Sequence, residues 1–188
     1  MKRVFIVHGW GGHPGENWFP WLKHELENRG FEVHIPQLPD ADYPRIAHWV
    51  STLTQAVGTL DNHTYFVGHS LGCQTILRYL ENMDGKAGGA VFIAGFVLPL
   101  KGLDAEETET FKSWASTPLD LAKVRQHLGK SVAIFSDNDQ WVQVENAAEY
   151  EKHLGSKIII EHEKGHYNEK AGFLELPLAL QELLKVIA

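Results

Sequence analysis

A chain that runs Thr64-Tyr65-Phe66-Val67-Gly68-His69-Ser70-Leu71-Gly72 and then continues to Leu80 has few ways to fold. Tyr65 to Val67 is an apolar run of the kind that forms a buried strand, while Ile76, Leu77 and Leu80 fall on one face of a helix. The pentapeptide Gly68-His69-Ser70-Leu71-Gly72 has to turn the chain from one into the other. So tight a turn strains the backbone of the apex serine and presses the entering strand against the leaving helix, where side chains would collide. Gly68 and Gly72 remove those side chains. Ser70 then stands at a helix N-terminus above the C-terminal edge of a sheet, and the N–H of Leu71 has no carbonyl within the helix to bond. The plainer reading is a glycine-flanked turn whose serine caps a helix.

The remaining chain alternates between the same two patterns. Arg3 to His8 reads as a strand leading into the glycine-rich loop His8-Gly9-Trp10-Gly11-Gly12. Trp18 to Arg29 reads as a helix with an aromatic face, Phe31 to Pro36 as a strand, and Arg45 to Leu60 as an amphipathic helix. Gly88 to Phe96 is a continuous apolar run, as expected for a central parallel strand covered on both faces. The segment from Leu98 to Pro118 combines the acidic residues Asp104, Glu106, Glu107 and Glu109 with Phe111 and Trp114. It reads as a helix with a greasy face and a solvated acidic one, short enough to leave a shallow, open cleft. Helix (Leu119 to Leu128), strand (Ser131 to Phe135), helix (Val144 to Leu154), strand (Lys157 to Ile160) and helix (Phe173 to Ile187) complete the series. The expected architecture is a three-layer α/β/α sandwich around a mostly parallel, doubly wound sheet of about six strands.

The sequence of 188 residues suits one domain, residues 1–188, with a core large enough to need neither disulfides nor metal. A net charge of −7 gives no electrostatic reason to hold nucleic acid or an anionic membrane, and no segment has the length of a membrane span. The single cysteine, Cys73, reads as a small buried hydrophobe in the helix after the turn. With Met1-Lys2-Arg3 followed by only a short apolar run, the N-terminus reads as a strand rather than an export signal, so a reducing cytoplasm is the expected setting.

Strand, Gly-x-Ser-x-Gly and helix in that order are the context of the nucleophile elbow of the α/β-hydrolases. A serine hydroxyl is un-ionised at neutral pH, so as a nucleophile Ser70 needs a general base, and the base needs a carboxylate to fix its tautomer. In this fold the acid and then the histidine follow the serine. Beyond the strand ending at Phe135 stand Asp137 and Asp139. Asp139 has the spacing to reach back over the sheet edge, whereas Asp137 reads as a turn-ordering residue. Beyond Ile160 stand His162 and His166, and Gly165 gives His166 the looser loop that a base leaning toward Ser70 requires. The triad is therefore Ser70, His166 and Asp139. The oxyanion hole is expected from the N–H of Leu71 and that of Trp10, with Gly11 second choice; His8 reads as an anchor of the loop. His162 and His166 have metal-like spacing only on a helix, which this stretch does not resemble, so neither metal nor cofactor is expected.

The HGWGG loop with WFPWL after it, GHSLG, SDNDQWV and the GHY loop together resemble the small lidless serine hydrolases typified by bacterial YdeN and human retinoblastoma-binding protein nine. The resemblance spans nearly the whole chain and implies the same three residues as nucleophile, acid and base. Gln143 stands where many relatives have proline, and Tyr167 where phenylalanine often follows the histidine, departures that bear on pocket shape. The LxCxE pattern is absent, since Leu71-Gly72-Cys73-Gln74-Thr75 ends in threonine, so that partner is not implied.

The expected activity is that of a carboxylesterase-like serine hydrolase acting on a small ester, thioester or activated amide, with Gly11, Trp141 and Tyr167 around the substrate. Trp10, Trp18, Trp114 and Phe96 are candidates for an aromatic wall or for core. The rival readings are a non-catalytic scaffold that keeps the elbow for its fold, and a cofactor-free lyase or oxygenase reusing the same residues.

Overall fold

The computed structural model describes all 188 residues, Met1–Ala188. Its centre is a six-stranded, wholly parallel sheet in the order β2-β1-β3-β4-β5-β6. The strands are β1 (Arg3–Val7), β2 (Glu32–His34), β3 (Thr64–His69), β4 (Gly89–Ile93), β5 (Lys130–Ser136) and β6 (Lys157–Glu161). Every residue of β3 and β4 is buried, because helices cover both sides of these central strands. Helices α1 (Phe19–Glu27) and α7 (Pro177–Ile187) contribute Phe19, Leu22, Leu26, Leu180 and Leu183 to the core on one face. Against the other face pack α2 (Ile46–Val57), α3 (Leu71–Glu81), α4 (Ala105–Ser116) and α5 (Leu121–His127). The short α6 (Asn146–Glu149) lies on the same side and runs on into a widened π turn at Tyr150–Leu154.

Most elements are shorter than the pattern predicts, for identifiable reasons. The closing helix begins at Pro177 rather than Phe173, because Leu176, preceding a proline, is held out of helical backbone at φ −138° and ψ 75°. The second strand shrinks to Glu32–His34 at the sheet edge, where it has β1 as its one partner. In the stretch after β4, read from its pattern as a helix, Asp104 starts α4 with a capping box: its side chain accepts from the N–H of Glu107, whose carboxylate accepts from the N–H of Asp104. Phe111 and Trp114 bury the other side of that helix, and the indole of Trp114 donates to the carbonyl of Pro44 at 2.8 Å.

The sheet order reverses direction at β1, with β2 on one side and β3 on the other. Loops leaving the C-terminal ends of β1 and β3 therefore diverge to opposite faces and leave a crevice between them, where doubly wound folds place ligands. Val7 is paired with Gly68, which sets the glycine-rich loop beside Ser70. No helix is long and apolar enough to cross a membrane.

Candidate active site

Ser70 joins β3 to α3 with φ 53° and ψ −121°, a backbone conformation that side chains rarely adopt. Its N–H is held by the carbonyl of Ile93 at 3.0 Å, which ties the apex to the end of β4. The two elbow glycines are sterically required. A Cβ on Gly72 would lie 2.2 Å from the carbonyl oxygen of Val7, and one on Gly68 would lie 2.8 Å from Ile76 Cδ1 and 3.0 Å from the backbone of Cys73. Cys73 itself is fully buried, and burial pushes its thiol well above the usual range.

The loops that carry Asp139 and His166 leave the ends of β5 and β6. His166 Nδ1 donates to Asp139 Oδ2 at 2.7 Å, and Asp139 Oδ1 accepts from the N–H groups of Trp141 and Val142 at 2.9 and 3.1 Å. The Asp139 side chain is 1% exposed and that of His166 10%. With the proton on Nδ1, the Nε2 lone pair of His166 is the basic position. The His166 loop is laced to the Asp139 loop: Asn138 Oδ1 accepts from the N–H of Gly165 and Ser136 Oγ from that of Lys164. Asp137 and His162, the competing pair, form a contact of their own at the surface, 2.5 Å apart, and Asp137 also accepts from the N–H of Glu163. Asp137 thus orders the turn.

Ser70 and His166 line one cleft of about 790 Å³, whose wall includes Gly9, Trp10, Gly11 and Trp141. The Gly11 N–H is already donated to the carbonyl of Ala41 at 2.8 Å, which removes it as an oxyanion donor and leaves Gly11 as wall. Gly9 packs close against the elbow: a Cβ there would lie 3.1 Å from that of Ser70. His8 is buried and anchors the loop, donating from Nδ1 to the carbonyl of Gly9 and accepting at Nε2 from the N–H of Leu38. Burial lowers its pKa, so it stays neutral.

Tyr167 is not part of the cleft, contrary to the expectation from sequence. Its φ of 53° turns the side chain under the sheet edge, where it is fully buried and its hydroxyl donates to the carbonyl of Phe135 at 2.8 Å. Of the aromatic candidates, Trp10 and Trp141 reach the cleft, and Trp18, Trp114 and Phe96 are core. The acidic stretch faces solvent as its pattern suggests, and Asp104, Glu106 and Glu107 also border the cleft.

His69 escaped the reading from sequence, although its place beside Ser70 was a signal. It is 4% exposed, its ring lies 4.9 Å from that of His166, and its Nε2 donates to the His166 carbonyl at 2.7 Å. Burial, reinforced by the neighbouring His166, lowers its pKa to about 3. It clamps the His166 loop as a neutral group.

Residues 4–185 match the family model described as serine hydrolase. YdeN of Bacillus subtilis is 32% identical over 184 residues, covering 97% of this chain and 94% of that protein. Serine hydrolase RBBP9 of Rattus norvegicus is 22% identical over 97% of this chain and 95% of its own length. The crystal structure of the B. subtilis ydeN product superposes with a TM-score of 0.91 at 29% identity, covering 99% of this chain and 98% of that one. Est1E of Butyrivibrio proteoclasticus, at 15% identity over 98% of this chain and 88% of its own, shares the fold with a TM-score of 0.71. Built on an α/β-hydrolase sheet with its serine at the elbow, the chain belongs to the serine hydrolase family.

Proposed function

We propose that this hydrolase cleaves small carboxylic esters, thioesters or activated amides through an acyl-enzyme on Ser70. The observation that carries the reading is the hydrogen bond from His166 Nδ1 to the buried carboxylate of Asp139, in the cleft that Ser70 also lines. Ser70 Oγ attacks the carbonyl carbon while its proton passes to His166 Nε2, and the carbonyl oxygen becomes an oxyanion held by the N–H groups of Leu71 and Trp10. The C–O, C–S or C–N bond then breaks, and the leaving group departs with the proton from His166. Water repeats the sequence on the acyl-enzyme, regenerating Ser70 and releasing the acid. Asp139 stays ionised and stabilises the imidazolium.

The test is fluorophosphonate labelling of the purified protein beside Ser70→Ala and His166→Ala, followed by turnover of p-nitrophenyl esters from acetate to octanoate. Labelling of the wild type alone, with ester turnover that both substitutions abolish, is the expected result. A folded wild type that neither labels nor turns over any ester removes the reading and favours a scaffold.

A further inference from the structure

The cleft that holds Ser70 and His166 is lopsided in charge. Glu16, Asp42, Asp104, Glu106, Glu107 and Glu169 line it, against Lys170 as its one lysine or arginine. None of the six carboxylates joins an ion pair of the chain. Three have structural work: Asp104 and Glu107 cap α4, and Glu106 accepts from the Tyr43 hydroxyl at 3.2 Å. Glu16, Asp42 and Glu169 line the cleft outside any ion pair, and Glu16 is half-buried beside His13. Its carboxyl is pushed up chiefly by burial, opposed by the neighbouring His13 ring and backbone N–H, with the charge of Glu169 acting in the same direction as burial.

A second observation points to the same ligand chemistry. The larger apolar surfaces of this wall include the aromatic rings of Trp10, Tyr43 and Trp141. The Trp10 indole is fixed by donation to the carbonyl of Asp42 at 2.9 Å and by stacking on Phe111, and Trp141 packs edge-on against the His166 ring, 4.9 Å away. Aromatic faces attract ammonium groups through the ring quadrupole, and carboxylates beside them add Coulomb attraction. Together they favour a cation over an anion or a neutral chain. Trp141 touches the histidine that would protonate the leaving group, which puts this aromatic part of the wall on the leaving-group side.

We propose that the substrates are cationic, carrying an ammonium group on the leaving-group half. The inference rests on the hydrolase reading above and specifies which esters that site selects. The test is a matched pair of esters with the same acyl group: a choline ester and its uncharged isostere, in which a tert-butyl group replaces the trimethylammonium. Fluorophosphonate labelling of Ser70 is run alongside. The expected result is a kcat/KM ratio of tenfold or more in favour of the choline ester, shrinking as salt screens the wall. In a Glu16→Gln, Asp42→Asn, Glu169→Gln variant the ratio falls below threefold. The ratio is measured within each protein, so the fraction folded does not enter it. Labelling with no preference for the cation, with no turnover of the choline ester, or with a ratio that salt and the substitutions leave unchanged overturns this proposal and leaves the hydrolase standing. Absence of labelling overturns both.

Discussion

Replacing Gly72 by alanine tests whether the elbow is held by close packing or by local turn preference. The added methyl carbon would lie 2.2 Å from the Val7 carbonyl oxygen, 2.6 Å from that of His8 and 2.8 Å from the Val7 carbonyl carbon. Ordinary contact begins near 3.4 Å, so α3 and β1 must separate by about an ångström. All three obstacles are backbone, and β1 is pinned between β2 and β3, so no rotamer change relieves them. Overpacking of this kind costs about 3 kcal/mol at the upper end of its usual range, partly offset by about 1 kcal/mol from alanine's better helix propensity. The net loss of about 2 kcal/mol lowers Tm by roughly 4–8 °C in a domain of this size. The same displacement moves Ser70 and the Leu71 N–H relative to the loop of Trp10, which is expected to cut kcat by about 100-fold. Thermal melts and ester turnover read both, with Gly15→Ala as control, where the nearest atom is 3.4 Å away. A Gly72→Ala protein that melts within about 2 °C of wild type would refute the argument that this glycine exists for close approach.

Three further outcomes follow from the same structure. Ser70→Gly and Ser70→Ala should both be inactive, yet the glycine variant should melt higher, because relief of about 1–3 kcal/mol of strain at φ 53° exceeds the 0.4–1 kcal/mol or so that glycine's unfolded-state freedom costs; equal melting temperatures would show the serine to be unstrained. The pKa of His69 drops from 6.5 to about 3 on folding, so below pH 6.5 the unfolded chain binds a proton that the native state refuses, and stability falls with pH. Denaturant titrations from pH 6.5 to pH 5 should show about 2 kcal/mol of loss from this group, removed in His69→Gln; an unchanged slope would mean that His69 does not titrate on unfolding. Arg78 is buried and donates to the carbonyls of Trp114, Thr117 and Pro118 just beyond and within the last turn of α4. Arg78→Met leaves those carbonyls unpaired and should cost about 2–4 kcal/mol in denaturant melts, whereas a loss under 0.5 kcal/mol would show that α4 is anchored by Phe111 and Trp114 alone.

The fold was legible because its signals are local. Strand and helix periods, the two elbow glycines, and the order serine, acid, histidine all lie within short windows, and a parallel sheet follows from their alternation. The pairing of His166 with Asp139 was legible too, since both had to lie just past strand ends. Tyr167 was misplaced because a positive φ at a non-glycine residue reverses which way a side chain points, and nothing in Gly-His-Tyr announces it. Helix boundaries drifted for a similar reason, Pro177 marking a start that an apolar pattern alone puts earlier.

The composition of the cleft was settled by tertiary structure. Glu16 follows the first strand, Asp42 precedes α2, Glu106 and Glu107 begin α4, and Glu169 follows the base, so four segments far apart in the chain supply one wall. In sequence each is an acidic residue of the kind that normally faces water. Their charges share one concavity because the sheet order turns at β1 and gathers the strand-end loops around Ser70. Short-range patterns therefore determined where Ser70, Asp139 and His166 lie along the chain, whereas the folded sheet decided which distant side chains surround them, since pairing between strands is a long-range choice that no local window contains.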